Sequence, residues 1–212
     1  NYYEKLNILR YVNYIYMKSS GIVDNKKFIR NLIKDVKFIS KYNVKNITTA
    51  KDGLQTIVDE YGNKLKAKTV IWANGFEMIN LSQKVPINPI SGQVTYLKAN
   101  ELSSNLKINF SYGHHFSQAF RGYHQIGASF NRNTNTNYKE FDQNANINAI
   151  PDFLTKNYFS DFKENKYRVS VRASTKDRMP FLGNLNSFID IKSKNTYVLG
   201  GMGAWGFVYA PL

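Results

Sequence analysis

The chain has 212 residues, 42% hydrophobic and 15% aromatic, enough to bury a core in one large or two small domains. It contains no cysteine, which excludes a disulfide framework, a thiolate nucleophile and a cysteine-ligated metal. It also has no apolar run of about 18 residues and no leader-like segment, so the sequence predicts a cytoplasmic protein that does not enter a membrane.

The formal net charge of +14 allows two interpretations. Lysine and arginine could form a face that binds a polyanion such as RNA, because they release counterions from phosphates. However, 22 of the cations are lysine and only 7 are arginine, alongside 26 asparagines and 15 tyrosines. This pattern is also typical of chain-wide compositional drift with a solvated lysine surface.

The first half of the chain predicts a helix followed by a small β-meander. Residues 1–20 are tyrosine-rich and ambiguous, and the absence of an initial methionine suggests a fragment. Apolar residues at helical spacing predict a helix over 25–36, capped by Asp24. Strand-like residues in 36–47 and the runs 54–60 and 65–72 follow, separated by turns at Asp52-Gly53 and Tyr61-Gly62-Asn63.

A β-rich run over 69–75 ends at Gly75, and prolines 86 and 89 suggest a domain crossing near 80–90. Strands are then predicted at 93–97, 108–112 and 125–130, followed by an Asn/Thr-rich surface loop at 131–137. A helical piece follows at 144–159, with Pro151 opening its second half.

Near the C-terminus, an apolar strand leads into four glycines spaced G-G-x-G-x-x-G over Gly200–Gly206. Glycine permits positive φ and close approach of a ligand to the backbone, and the first turn of a following helix offers free N–H groups. The spacing predicts a phosphate- or cofactor-binding turn. A primary Rossmann fingerprint would need a βαβ unit and an acidic residue downstream, and no room remains for either.

Three of the seven arginines, Arg168, Arg172 and Arg178, fall within eleven residues. On a strand, Arg168, Ser170 and Arg172 share one face. This face is either a bidentate trap for a carboxylate or an exposed, salt-bridging strand surface. Adjacent His114 and His115 would face opposite sides of a strand, so the sequence predicts no metal site.

The order of these motifs resembles the D-amino-acid-oxidase-like FAD-dependent oxidoreductases. The resemblance covers about residues 14–212, and its most specific parts are Arg-x-x-Thr-x-Asp-x-x-Pro-x-x-Gly over 172–183 and the glycine-rich end. It is strongest with a subgroup that removes the carboxymethyl arm from carboxymethylaminomethyl uridine at the tRNA wobble position. That subgroup implies FAD as cofactor, tRNA as partner and a fused methyltransferase that uses S-adenosylmethionine.

The resemblance also implies an architecture and individual roles. The fold would be α/β (α+β): a partial Rossmann-like FAD domain (21–85 and 166–212) with an inserted antiparallel substrate domain (86–165, with 1–20 ending a further segment of it). Arg172 would bind the substrate carboxylate, with Tyr112 and Gln93 shaping the pocket. The implied FAD contacts are Val44, Ala73, Asn74, Gly75, Gly201, Gly203, Ala204, Trp205, Gly206 and Phe207.

The sequence departs from the family pattern in two places. The fingerprint that opens the FAD domain is missing upstream of Gly21, and Ala204-Trp205 replaces the usual Ser-Arg of the subgroup. A generic small-amino-acid oxidase of the same family therefore stays open as an alternative. The second alternative is a non-enzymatic remnant that either binds RNA through its lysines or has no ligand.

Overall fold

The computed structural model of the chain describes residues 21–158, 165–189 and 194–209. The chain divides into two compact units, each assembled from three segments. The first takes Asn1–Phe38, Val94–Ala128 and Glu140–Tyr167, and the second takes Ile39–Gln93, Ser129–Lys139 and Arg168–Leu212. The predictions for 1–20 and for the end of the helical piece at 159 lie outside the described residues.

The first unit begins with helix α1 (Asn25–Leu32). The Asp24 side chain accepts hydrogen bonds from the backbone N–H groups of Lys26 and Lys27, at 3.1 and 3.2 Å, which confirms the predicted cap. The helix ends at Leu32, so its predicted extension to residue 36 is wrong. Ile33 already leaves helical geometry, because β-branched residues lose side-chain freedom in a helix and so short a helix gains little from each added turn.

The rest of this unit packs two helices against antiparallel strands. The sheet order is β6-β7-β8-β5-β9, and β5 and β9 each run from one unit into the other. The predicted strand at 108–112 shrinks to two residues, because the chain turns at Gly113, whose φ is 92°. The elements are β5 (Asn88–Lys98), β6 (Phe110–Ser111), β7 (His115–Phe116), β8 (Tyr123–Gly127), α2 (Glu140–Asn148), α3 (Asp152–Tyr158) and β9 (Asn165–Ser174).

Apolar side chains of these strands and helices form the core of the first unit. It consists of Leu97, Leu106, Phe116, Ile126, Ile150 and Leu154, all nearly or fully buried. The two helices are separated at Pro151, whose carbonyl accepts a bond from the N–H of Leu154 in the first turn of α3. Pro151 therefore lies next to the second helix, as the sequence predicts.

The second unit begins with the predicted meander: β1 (Val44–Thr49), β2 (Gln55–Asp59) and β3 (Lys64–Ala67). Its two turns pass through Gly53 and Gly62, with φ near 85° at both, as the sequence predicts. The run over 65–72 is not one strand, so this part of the prediction is wrong. It breaks after Ala67, and β4 (Val70–Trp72) joins a different sheet.

That second sheet has the order β10-β11-β4, with β10 (Phe181–Asn184) antiparallel and β4 parallel to β11 (Thr196–Gly200). The buried Gln55 side chain ties the meander to it by donating to the carbonyls of Lys194 and Gly53, at 2.6 and 3.1 Å. Met78, Val85, Ile87 and Val198 are buried around this sheet. The described chain closes with a short helix, α4 (Gly206–Tyr209).

The structure confirms a mixed α/β fold with antiparallel sheets. The chain passes from one compact unit to the other between residues 93 and 94 and between residues 167 and 168. The sequence predicts the corresponding domain boundaries at 85/86 and 165/166. Helix α1 also groups with the first unit, and 129–139 returns to the second. The predicted domain limits stay a prediction. No helix in the described ranges is both long and apolar enough to cross a membrane.

Candidate functional site: the glycine edge and Arg172

The parallel strands β4 and β11 bring two glycine turns to one edge of their sheet. Val70, Ile71 and Trp72 pair with Thr196, Tyr197 and Val198 in register. Because parallel strands end at the same side, Gly75 and Gly201 follow at the same carboxyl edge, although they are about 125 residues apart. The sequence predicts this proximity, and the structure confirms it. We call Ala73–Gly75 with Gly200–Gly206 the glycine edge.

The backbone of the glycine edge adopts conformations that other residues rarely reach. Gly75, Gly201 and Gly203 have φ values of 67°, 73° and 54°. A Cβ atom on Gly201 would lie 2.6 Å from Cγ2 of Thr175 and 2.9 Å from a ring carbon of Phe181. A Cβ atom on Gly75 would meet no atom within 4 Å. Glycine is therefore needed at 201 for both conformation and space, and at 75 for conformation alone.

The glycine edge is fastened to the end of β9. The N–H of Gly203 donates to the carbonyl of Ala173 at 2.8 Å. The turn after β9 is closed by the Thr175 hydroxyl, which donates to the Met179 carbonyl at 2.9 Å, and by Asp177, which accepts from the Met179 N–H at 3.0 Å. The two most specific motifs of the sequence are thus one connected piece of structure.

The Asp177 carboxylate helps to close this turn, and Arg178 lies within it. The N–H of Met179 is the main cause that lowers the pKa of the Asp177 carboxyl, because it stabilises the carboxylate. Arg178 lies in the left-handed region at φ 64°, and its side chain is exposed.

Arg172 lies on β9, as predicted, and is partly buried. Its Nη1 atom is buried and has no hydrogen-bond partner in the structure. Burial lowers the pKa of the guanidinium, because it disfavours the charged form. A buried donor without a partner does not fit an exposed, salt-bridging strand face, so that alternative is wrong for Arg172. Arg168, four residues earlier, is exposed.

The predicted pocket residue Gln93 is buried in β5 and binds the main chain of Lys139 twice. Its Nε2 donates to the Lys139 carbonyl at 3.0 Å, and its Oε1 accepts from the Lys139 N–H at 2.9 Å. These bonds support a structural role for the side chain. A substrate contact by Gln93 stays a prediction.

Tyr112 belongs to the first unit, in the turn between β6 and β7. Its ring stacks on His114 with 6.4 Å between centroids, and about a third of the residue is exposed. Partial burial raises the pKa of its phenol to about 12. Tyr112 is therefore a neutral hydrogen-bonding group over the physiological range. Its predicted role beside a substrate stays a prediction.

The histidines take structural positions within the described residues. Of the adjacent pair, His115 lies on β7 and His114 is in the turn before it, while His124 lies on β8. His124 is buried, stacks on Phe116 at 5.0 Å and places Nδ1 2.9 Å from the Ser117 carbonyl oxygen. In the parts of the chain that the structure describes, no group of three or more acidic or histidine side chains is arranged to hold a metal ion.

The other predicted cofactor contacts divide between two sheets. Ala73, Asn74, Ala204 and Trp205 are exposed on the glycine edge, and Gly206 and the exposed Phe207 begin α4 directly after it. Val44 starts β1 of the meander and is also exposed. The structure thus gathers all the predicted contacts except Val44 at the end of one sheet.

Sequence reasoning missed two residues of this region. Gly92 lies in β5 directly against the guanidinium of Arg172, and Thr175 closes the turn under Gly201. Thr175 lies within the Arg-x-x-Thr-x-Asp-x-x-Pro-x-x-Gly motif over 172–183, but no role was predicted for its side chain. Gly92 has no side chain, so its contact with Arg172 could not be predicted without the neighbouring strand, and the position of Thr175 under Gly201 likewise depends on the fold.

Comparison with known proteins identifies the family. Residues 3–212 match the family model described as FAD dependent oxidoreductase (DAO). The chain is 28% identical over 156 residues to the tRNA 5-methylaminomethyl-2-thiouridine biosynthesis bifunctional protein MnmC of Idiomarina loihiensis, covering 71% of this chain and 25% of that protein. The protein of the same name from Aliivibrio fischeri is 28% identical over 160 residues, covering 70% and 23%. The chain thus spans about a quarter of the length of the curated relatives it matches.

Solved structures show the same fold. Iminodiacetate oxidase from Chelativorans sp. BNC1 superimposes with a TM-score of 0.65 at 16% identity, over 85% of this chain and 49% of that one. Glycine oxidase from Geobacillus kaustophilus gives 0.60 at 17% identity, over 80% and 45%. Since the family model spans nearly the whole sequence, this chain belongs to the DAO family of FAD-dependent oxidoreductases.

Proposed function

We propose that the protein to which this chain belongs oxidises a secondary amine that carries a carboxylate, and that its substrate is carboxymethylaminomethyl(2-thio)uridine at the wobble position of tRNA. The observation that carries the chemistry is the buried, unpartnered Nη1 of Arg172, in the same compact unit as the glycine edge. A buried guanidinium nitrogen without an acceptor favours an anionic ligand. A carboxylate offers two oxygens that match the fork of an arginine.

The residues of the glycine edge fit the FAD of the family. A Cβ atom on Gly75 would project into open space, so the glycine there leaves the main chain open to a flat ring system. Gly201 is buried against Thr175 and Phe181 and instead lets the turn pack onto the protein. Backbone N–H groups at this edge would favour negative charge on such a ring. When bound, FAD supplies the two-electron acceptor for dehydrogenation of an amine.

Arg172 would act by binding and orientation. Its guanidinium would hold the carboxylate of the substrate, so that the neighbouring CH₂–NH unit occupies one defined position. Loss of two electrons and two protons from that unit gives a C=N bond. Water then adds to the imine carbon, and the C–N bond breaks to release the carboxymethyl carbons as glyoxylate. The uridine keeps an aminomethyl group.

The choice of tRNA as substrate rests on the curated relatives, whose name states a role in tRNA 5-methylaminomethyl-2-thiouridine biosynthesis. The net charge of +14 is consistent with a polyanionic partner. A fused methyltransferase, as the word bifunctional in that name suggests, belongs to the same proposal. Arg172 itself requires only a carboxylate, which keeps a generic amino-acid oxidase as the second candidate.

The decisive experiment supplies the full-length protein with tRNA that carries carboxymethylaminomethyl uridine, and with glycine and sarcosine in parallel. Nucleoside mass spectrometry should show loss of the carboxymethyl group, with glyoxylate released in equal amount. Oxidation of glycine or sarcosine without any change in tRNA would replace the proposal with the generic oxidase. A protein that binds no flavin and changes neither substrate would be the non-enzymatic remnant.

A further inference from the structure

Gly92 lies beside the guanidinium of Arg172. The two residues belong to β5 and β9, which are hydrogen-bonded neighbours in one sheet. A Cβ atom on Gly92 would lie 2.5 Å from Nη1 and 2.8 Å from Nη2 of Arg172. Both distances are far below van der Waals contact, so the arginine occupies the space that any other side chain at position 92 would fill.

The backbone of Gly92 does not itself require glycine. Its φ lies outside the left-handed region, and the residue is in the interior of a strand, where glycine usually costs stability. A glycine in such a position marks a close approach by another group. Here the approaching group is the charged end of Arg172.

The strand around Gly92 is held on both sides. Ser91 exchanges two backbone hydrogen bonds with Asn131, each 2.8 Å. Gln93 donates its N–H to the Ser129 hydroxyl at 2.9 Å and accepts from the Ser129 N–H at 3.1 Å. Since neither flank can shift without breaking these bonds, a side chain at position 92 would displace the flexible arginine instead.

We propose that Gly92 is a positioning residue for Arg172: its missing side chain lets the guanidinium lie across β5 in the orientation that receives a carboxylate. This proposal rests on the proposed function only for the identity of the ligand. The steric dependence of Arg172 on Gly92 stands on the geometry alone.

The test is a double-mutant cycle in the full-length flavoprotein with Gly92→Ala, Arg172→Ala and the double variant. Acetate serves as the carboxylate probe, and its dissociation constant is read from the flavin absorbance spectrum. We expect Gly92→Ala to weaken acetate binding about tenfold or more, and KM to rise more than kcat falls, because the misplaced group is a binding group. With Arg172 already removed, Gly92→Ala should change the acetate dissociation constant by less than about twofold.

Gly183→Ala is the matched control. It adds a methyl group to a strand glycine in the same unit, 3.3 Å from a ring carbon of Phe188. It should leave acetate binding unchanged. If Gly92→Ala weakens acetate binding equally with and without Arg172, the proposal is overturned.

Stability provides a second readout that needs neither substrate nor turnover. A Cβ atom on Gly92 would also lie 2.7 Å from the carbonyl oxygen of Ser129, so Gly92→Ala should lower the melting temperature. Gly92→Ala should lower the melting temperature less when Arg172 is also alanine, because the clash with the guanidinium is then absent and only the clash with Ser129 remains. Equal losses in both backgrounds would assign the crowding to Ser129 alone and contradict the proposal. A mixed result is also informative. If Arg172→Ala leaves acetate binding unchanged, but Gly92→Ala lowers the melting temperature less in the Arg172→Ala background, then Arg172 does not bind a carboxylate and Gly92 still makes room for its side chain.

Discussion

A single unpartnered nitrogen atom distinguishes Arg172 from the other arginines of the chain that the structure describes. Nη1 is buried without an acceptor, whereas Arg168 and Arg178 are exposed. Such a donor costs free energy in the absence of a ligand, on the order of 1–3 kcal/mol. A cost of this kind is retained at a binding site more readily than in a purely structural position.

Arg172→Lys should retain the flavin and lose turnover. A lysine keeps the positive charge but replaces a planar fork with one point charge, so the carboxylate loses its fixed orientation. We expect kcat/KM to fall by about 100-fold, as for a misplacement of about 1 Å. The measurement compares flavin content by absorbance with steady-state kinetics. Unchanged kcat/KM would return Arg172 to a structural role.

Tyr112 should stay protonated to high pH. Partial burial raises the pKa of its phenol to about 12 from the ordinary 10.0, because it removes part of the water that would solvate the phenolate. The difference between the ultraviolet titrations of the wild type and Tyr112→Phe should therefore show one tyrosine that ionises above pH 11. A difference curve centred near pH 10 would show that the ring is solvated.

At the scale of elements, Gly75 and Gly201 both adopt a conformation that favours glycine, but only Gly201 of these two also lacks room for a side chain. Gly201→Ala should destabilise the protein more than Gly75→Ala. Both place an alanine at positive φ, which costs about 1–2 kcal/mol, but only position 201 adds a clash with Thr175 and Phe181. Urea unfolding measures both. Equal losses would mean that the Thr175 turn moves away to accommodate the methyl group.

The meander should lose stability in acid through Asp59. Burial alone would raise the pKa of this carboxyl, but hydrogen bonds from Asn63 and from the N–H of Tyr61 outweigh it, and the pKa is lowered from 3.8. A carboxyl with a lowered pKa in the folded state stabilises the fold above its unfolded pKa. That stability is lost as the pH falls through the folded value. Asp59→Asn should therefore flatten the fall in unfolding free energy below about pH 4, and an unchanged slope would contradict this role.

The sequence predicted the turns and the glycine edge better than the extent of the helices and strands. Gly53, Gly62 and the Asp24 cap are local signals that need no distant partner. The break after Ala67 could not be predicted, because β3 and β4 differ in the sheet that each joins rather than in composition. Gly92 was missed for the same reason, since its role exists only through an arginine on the next strand.

At the scale of the whole molecule, the charge separates the tRNA enzyme from an oxidase of free amino acids. If the lysines form a polyanion face, tRNA binding by the full-length protein should weaken steeply between low and moderate salt, because bound cations displace counterions. Replacing lysines near Arg172 with glutamine should flatten that slope, and replacing distant lysines should not. If every lysine replacement changes the salt dependence of tRNA binding equally, the lysines are spread over the surface and form no specific face for tRNA.

The parallel pairing of β4 with β11 also constrains the order in which the molecule can assemble. The two strands are about 125 residues apart in sequence, and most of the first unit lies between them. Closing so long a loop costs entropy before any strand contact compensates, so this pairing belongs among the slow steps of folding. During synthesis, the half of the edge that holds Gly75 must wait for the half that holds Gly201. The glycine edge is therefore among the last parts of the protein to become native.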